Sequence, residues 1–156
     1  RLENIEEVSH CQQLEELSLA GGVVSNTLKL ETLEPLSHLA NLKTLELNNL
    51  RVKDESLSSL RCLQNLRELH ISNQFPTEEY AKLSVCLPNT ICSSFQPYTK
   101  LKQHIGGKDI MVTGKRKPFL NSVVDANRLD KYVKQFKEFQ DKHRDELNTQ
   151  LHELDK

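Results

Sequence analysis

Aliphatic residues recur along the first half of the chain at steps of three residues that close with a step of two. The pattern runs through residues 1–20, 33–48 and 57–72, which superpose without gaps. Its apolar positions are Leu2, Ile5, Val8, Cys11, Leu14, Leu17 and Leu19; Leu33, Leu36, Leu39, Leu42, Leu45 and Leu47; and Leu57, Leu60, Leu63, Leu66, Leu69 and Ile71. A step of two is the period of a β-strand, whereas a step of three fits neither a strand nor a regular α-helix. The pattern therefore predicts a chain that coils and stacks, with a short strand closing each turn.

The second and third segments share the consensus L-x-x-L-x-x-L-x-x-L-x-L, in the text LEPLSHLANLKTLEL and LSSLRCLQNLRELHI. This text resembles the leucine-rich repeat family, most closely the short class found in bacterial internalins and a phosphatase-regulatory protein. The resemblance covers about the first 95 residues. It implies an α/β fold, a right-handed leucine-rich repeat solenoid with short parallel strands on its concave face. One such repeat cannot bury its own leucines, so several stacked units and end caps are required.

We expect about four repeat units within residues 1–97, the fourth being degenerate and running from Thr77 through Leu83 and Leu87 to Ile91. The pattern is already under way at Leu2, so we expect further repeats or a cap before Arg1. The segment 20–32 is longer than its counterpart and contains two glycines, which predicts a bulged loop.

The family usually places asparagine three residues after the second strand leucine, where its amide satisfies loop backbone groups. Those places hold Gly22, Leu50 and Gln74 here, and Asn49 and Asn73 sit one residue early. We therefore expect no asparagine ladder.

The leucine pattern stops at Pro97, and the remainder divides into a strand and loop segment, 98–124, and a helix, 125–156. The run Asp109–Thr113 predicts a strand or hairpin arm, and Gly114–Pro118 predicts a turn. Asp125 is a candidate N-cap. The helical seam holds Leu129, Val133, Phe136, Gln140, His143, Leu147, Gln150 and Leu154. We expect its first half to cap the last repeat, and its polar-interrupted second half to project into solvent, bind a partner or form a homodimer.

The two parts of the chain carry opposite charge although the net charge is only −1. Residues 1–97 hold 8 Lys/Arg and 13 Asp/Glu, and residues 98–156 hold 13 and 9. The basic C-terminal part could therefore dock on the acidic repeats as readily as either part could bind another charged molecule. Apolar residues make up 37%, which fits a thin core.

The four cysteines, Cys11, Cys62, Cys86 and Cys92, have no paired short spacing. We interpret them as reduced thiols, with Cys11 and Cys86 in the core, which favours a reducing, cytoplasmic compartment. The sequence has no apolar stretch of the roughly 18 residues needed to span a bilayer. No signal peptide is visible in these 156 residues, and whatever precedes Arg1 is not part of this sequence.

Residues between the strand leucines point away from the core and form columns on the concave face. These columns predict a small acidic surface for a protein partner, made of Glu16, Ser18, Thr44, Glu46, Asn48, Glu68, His70 and Ser72, with Ala20 beside them. Because the leucine-rich repeat family generally binds partners along its concave face, the resemblance implies a non-enzymatic protein–protein interaction module; the alternative is a face that only contacts solvent.

Two other functions stay open as alternatives. The basic triplet Lys115, Arg116 and Lys117 is a candidate for binding phosphate or nucleic acid, although nucleic acid is disfavoured by the acidic repeats and the lack of a motif. The spacing of Gly107, Gly114 and Lys115 does not match a phosphate loop. The module is alternatively the regulatory or substrate-recognition part of a larger enzyme. Glu46 and His70 fall side by side on adjacent strands, but such a pair is expected by chance and no nucleophile accompanies it, so we expect no catalysis here, no metal and no cofactor.

Overall fold

The computed structural model describes residues 5–22 and 27–155. The chain is mixed α/β, with parallel strands in its first part and a long helix at its C-terminal end. The strands are β1 (Glu16–Ala20), β2 (Leu28–Leu30), β3 (Thr44–Asn48), β4 (Leu50–Val52), β5 (Glu68–Ile71), β6 (Tyr98–Ile105), β7 (Lys108–Val112) and β8 (Phe119–Leu120), and the α-helices are α1 (Thr77–Cys86) and α2 (Ala126–Leu154).

The main sheet contains β1, β3 and β5, in that order and all parallel. Leu17 aligns with Leu45, and Leu45 aligns with Leu69. The predicted parallel strands at these three leucines are therefore confirmed. β2 and β4 form a second parallel pair beyond the main sheet. The bulged loop predicted at 20–32 falls partly outside the described residues, at 23–26, and its later part is the strand β2.

A short 3₁₀ helix precedes each strand of the main sheet, at Glu6–His10, Glu34–His38 and Ser58–Cys62. Leu36, Leu39 and Leu42 each donate their amide to the carbonyl three residues earlier, at 2.9, 3.1 and 3.0 Å. The 57–66 segment repeats this bonding. A 3₁₀ turn has three residues, so side chains three apart lie on one face. This geometry explains the step of three in the sequence.

The leucines of the second and third units are almost completely buried and form one continuous core with residues of α1 and α2. The first unit is less buried, since within the described residues it contacts a neighbouring unit on one side only. The prediction that Cys11 is a core residue is wrong, because its side chain is exposed. Cys86 is half-buried and packs against the core.

Asparagine side chains do connect successive units, contrary to expectation. Asn41 donates to the carbonyl of Gln12 and Asn65 to that of Ala40, both at 2.9 Å. Asn49, with φ +48°, donates to the Gly22 carbonyl at 2.6 Å. Asparagine therefore satisfies loop backbone just before β3 and β5 and at the early position after β3.

The register of the fourth unit, which the sequence did not fix, differs from that of the other three. The helix α1 replaces the 3₁₀ turn, and the returning chain makes a single parallel bridge between Glu68 and Ile91. Ile91 thus continues the outward column of Glu16, Thr44 and Glu68, and its side chain is 76% exposed. The prediction that Ile91 ends the apolar ladder is wrong, and Cys92 is the residue that packs on the core.

The C-terminal strands β6, β7 and β8 form an antiparallel sheet. Gly106 and Gly107, both with positive φ, make the tight turn between β6 and β7. A second small core holds Ile110, Val112, Leu120 and Leu129, with Tyr98 and Tyr132 at its margin. The strand predicted at Asp109–Thr113 and the turn predicted at Gly114–Pro118 are both present.

Helix α2 crosses from this small core to α1. Its Leu129 packs in the small core, whereas Phe136 is buried in the main core. Leu151 and Leu154 near its end are 61% and 82% exposed. Asp125 is the N-cap residue, but its carboxylate accepts hydrogen bonds from the Asn121 amide and Arg128 rather than from the first helical turn.

Candidate functional site

The outward face of the main sheet carries all the residues predicted to bind a partner. We call this surface the open sheet face; it consists of Glu16, Ser18, Ala20, Thr44, Glu46, Asn48, Glu68, His70 and Ser72. The strand register aligns these residues in three columns, as the sequence pattern requires. Their side chains are exposed or half-buried. Whether a partner contacts this surface stays a prediction.

Hydrogen bonds link neighbouring side chains across the open sheet face. The Ser18 hydroxyl donates to Glu46 Oε2 at 3.0 Å, and the Asn48 amide donates to Glu46 Oε1. The Glu46 carboxylate is therefore held between two strands. Fixed carboxylates of this kind are preorganised acceptors, which lowers the ordering cost of binding a cation or hydroxyl group.

Glu46 and His70 occupy aligned positions but do not form the acid–base pair considered from the sequence. The imidazole of His70 instead contacts Glu68 Oε2 at 3.3 Å, and both side chains are more than half exposed. Neither of the two clefts described below includes His70.

Sequence reasoning missed Ile91 as an extension of the open sheet face. An exposed isoleucine at the end of a polar column supplies an apolar contact where the other positions supply hydrogen bonds. The residue spacing did not reveal the outward position of Ile91, because α1 differs in length from the 3₁₀ turns of the other units.

Two of the three cations of the basic triplet are already engaged. Lys115 Nζ contacts the Glu55 carboxylate, and Lys117 Nζ lies 5.2 Å from the centre of the Tyr132 ring. Arg116 is exposed, in a left-handed conformation with φ +59°. These residues border a cleft of about 370 Å³ between the repeats and α2. The pairing of Lys115 with Glu55 agrees with the expectation that the basic tail docks on the acidic repeats.

A cysteine, a histidine and a glutamate meet where α1 and α2 pack together, an arrangement that the sequence did not reveal. Cys86 Sγ lies 3.5 Å from His143 Nε2, and His143 Nδ1 lies 3.3 Å from Glu146 Oε2. These residues line a cleft of about 260 Å³. Burial raises the pKa of the Cys86 thiol, and the nearby Arg61 opposes that rise. Cys86 and His143 are 57 positions apart, so no spacing rule links them.

Buried polar groups elsewhere have structural roles. The Tyr80 hydroxyl donates to the Ser72 carbonyl at 2.8 Å and accepts from the amides of Gln74 and Phe75. Burial raises the pKa of Tyr80 to about 12, so this phenol stays protonated as a donor. Among the residues described, no group of three or more His, Cys, Asp or Glu side chains is placed to hold a metal ion. No helix within those same ranges is long and apolar enough to cross a bilayer.

Comparison with known proteins gives little further information. No protein-family model matches the chain, and no curated protein matches it. Among solved structures, the chain is similar to an internalin (inlF) from Listeria monocytogenes, with 21% sequence identity and a TM-score of 0.38. The similarity covers 58% of this chain and 31% of that one. A likeness of this extent identifies neither a family nor a function.

Proposed function

We propose that this chain is a non-enzymatic protein-interaction module that binds a partner protein on its open sheet face. In this proposal residues 1–97 form a right-handed leucine-rich repeat solenoid of about four units, with the open sheet face as its concave side. The segment 98–124 and the helix 125–156 close its C-terminal end. The support comes from the repeated sequence pattern, the in-register strands and the 3₁₀ turns between them.

One observation carries the proposal: an ordered array of exposed and half-buried polar side chains stands on a leucine layer that is fully buried at β3. Leu45 and Leu47 have no exposed surface, while Glu46 between them faces outward and is held by Ser18 and Asn48. Side chains on a packed sheet keep fixed positions better than side chains on loops, which favours specific recognition.

The chemistry of this face indicates the chemistry of its partner. Glu16, Glu46 and Glu68 present three carboxylates, and Ile91 adds an apolar contact at the end of their sheet. A complementary surface would carry Lys, Arg or hydroxyl groups around one apolar side chain, because charge complementarity gives specificity while a buried apolar anchor contributes affinity. We therefore propose a partner with a basic or hydroxyl-rich docking surface.

The test is capture of partners from a native lysate by the full chain and two fourfold variants. The first variant changes Glu16, Glu46, Glu68 and His70 to alanine. The matched control changes four residues that are exposed on α2 to alanine: Asp130, Glu138, Asp145 and His152. Like the first variant, it removes three carboxylates and one imidazole. Thermal unfolding first establishes that both variants remain folded. We expect the first variant alone to lose specific partners.

Retention of the same partners by the first variant would exclude the open sheet face as the binding surface. Loss in the control alone would assign binding to α2 instead. For any partner that is captured, titration with an Ile91→Ser variant then measures the apolar contribution. We expect weaker binding, since a polar side chain there cannot fill an apolar pocket.

A further inference from the structure

The contact between α1 and α2 contains a thiol aligned with a buried imidazole and a carboxylate. Cys86 is the last residue of α1, and His143, only 9% exposed, lies across from it on α2. Sγ and Nε2 are 3.5 Å apart, within hydrogen-bond range for sulfur. Glu146 contacts the other ring nitrogen, Nδ1, at 3.3 Å. The order is that of a nucleophile, a base and the group that orients the base.

The carboxylate of Glu146 determines the tautomer of His143, and so determines that the nitrogen facing the Cys86 sulfur can act as a base. An ionised carboxylate can only accept, so Nδ1 carries the proton in this contact. In the neutral ring Nε2 then has a free lone pair, directed at Cys86. The thiol donates its proton to that lone pair. His143 is therefore positioned to remove the proton when the sulfur attacks.

The thiol needs such a base because its surroundings keep it protonated. Cys86 lies at the carbonyl end of α1, where the helix dipole disfavours a thiolate, and burial raises its pKa further. Arg61 acts in the opposite direction. A thiolate is the reactive form of cysteine, so reaction here requires proton transfer to His143 in the same step.

The charged groups around the cleft leave Arg61 available for an anionic ligand. Glu79 Oε2 accepts the amide of Leu57 at 2.7 Å, and Lys82 pairs with Glu78 at 2.9 Å. Arg61 forms no ion pair within residues 5–22 and 27–155. The cleft, about 260 Å³, is lined by both Arg61 and Cys86.

We propose that Cys86 is a covalent modification site for small disulfides that carry a carboxylate, with His143 as the base and Arg61 as the anion anchor. The Cys86 proton moves to His143 Nε2 as the sulfur forms a bond with the nearer sulfur of the disulfide. The disulfide bond breaks, its electron pair leaves on the second sulfur, and that thiolate takes the proton from His143. The products are a mixed disulfide on Cys86 and one free small thiol, and the incoming disulfide is the only oxidant.

The experiment measures site-resolved modification of the full chain by mass spectrometry. Three probes differ in charge: oxidised glutathione is anionic, 2-hydroxyethyl disulfide is neutral and cystamine is cationic. Cys11 and Cys62 are exposed and serve as references within the same molecule. In His143→Gln we expect the Cys86 rate to fall by about tenfold or more with every probe, as expected for loss of a general base. The rates at the two reference cysteines should not change.

Two further variants separate the roles of the groups. Arg61→Gln should slow modification of Cys86 by oxidised glutathione several-fold relative to the neutral probe. Glu146→Gln keeps the size and shape of a half-exposed side chain but removes its charge. It should lower the Cys86 modification rate by a smaller factor than His143→Gln, because it weakens the stabilisation of protonated His143. Ser84→Ala is the packing control. It removes the 2.8 Å hydrogen bond from Gln140 between the same helices without touching the cluster, and should leave the rate unchanged.

Several results would overturn the proposal. A Cys86 rate that is equal or higher in His143→Gln would show that the imidazole only shields or packs against the thiol. Absence of a Cys86 adduct while Cys11 and Cys62 react would show that the cleft admits no disulfide. If His143→Gln does not fold, the Glu146→Gln variant provides the test instead. A Cys86 modification rate in Glu146→Gln equal to that of the unchanged chain would then show that His143 does not act as a base.

Discussion

The repeat region, residues 5–92, and the C-terminal region, residues 98–154, are held together by different kinds of interaction. The repeat region buries leucines at constant spacing, and its strands align without irregularity. The C-terminal region has a core of four buried apolar residues and depends more on single polar side chains that bind backbone groups. Asp109, for example, accepts both the amide and the hydroxyl of Ser122, which lowers the pKa of its carboxyl group.

This difference shows that two kinds of interaction specify the fold. The regular spacing of buried leucines specifies how each unit coils. Because the spacing is the same in every unit, it does not specify where the stack of units ends. The C-terminal region supplies the end: Asn73, just beyond β5, binds Val112 and Gly114 of the later segment, and Phe136 of α2 completes the main core. The joint between the regions therefore uses Asn73, which occupies the same repeat position as Asn49, to bind a segment that does not repeat.

The strongest test of this division is to remove the C-terminal region. A chain ending at Gln96 loses Phe136 and the whole surface of α2 that covers α1, which exposes apolar residues of the main core. We expect an insoluble or strongly destabilised protein, because a terminal unit without a cap exposes its apolar face. Solubility and thermal unfolding measure the effect.

The matched control ends at Gln150 and removes only the exposed end of α2, including Leu151 and Leu154. It should unfold at the temperature of the full chain. A well-folded chain ending at Gln96 with unchanged melting would show that the repeat region does not need this cap.

Local, repeated features were predictable from the sequence. The positions of the strands at Leu17, Leu45 and Leu69 and the outward residues between the leucines follow from the two periods alone, and the structure has them in register. This success has a physical reason: each 3₁₀ turn and strand is specified by residues within the unit itself.

Features that depend on contacts between distant residues were not predictable. The outward position of Ile91 depends on the length of α1, and the Cys86–His143 contact depends on how α2 crosses α1. The bonds of Asn41 and Asn65 could have been noticed, since both residues immediately precede a buried leucine in matching text. The family expectation placed the asparagines elsewhere and so hid this signal.

Within the repeat region, the stacking argument predicts different costs for equivalent leucines. Leu45 is fully buried between two neighbouring strands, so Leu45→Ala should lower the free energy of unfolding by about 2–5 kcal/mol, including the cavity it leaves. Leu17 occupies the same position in β1 but is only half-buried at the sheet edge, so Leu17→Ala should cost less. Chemical denaturation of the full chain measures both. Equal costs would contradict the account of burial by stacking.

The joint between the two regions gives a smaller but more specific prediction, in which two asparagines are compared. Asn73 donates to the Val112 carbonyl at 2.9 Å and accepts the Gly114 amide at 2.6 Å, both in a partly buried place. Asn73→Ala leaves both backbone groups without this partner and should cost about 1–3 kcal/mol. Asn65→Ala removes one exposed hydrogen bond to Ala40 within the repeat region and should cost about 0.5–1.5 kcal/mol.

The location of the effect distinguishes the two changes beyond their size. Hydrogen exchange in Asn73→Ala should increase at β7 and the turn that follows it, because this asparagine binds the end of that strand. In Asn65→Ala the increase should stay near Ala40, and the hairpin of β6 and β7 should be unaffected. If Asn73→Ala instead loosened the repeat strands while leaving β7 protected, the joint would be carried by apolar contacts alone, since the polar side chain would then not hold the C-terminal region in place.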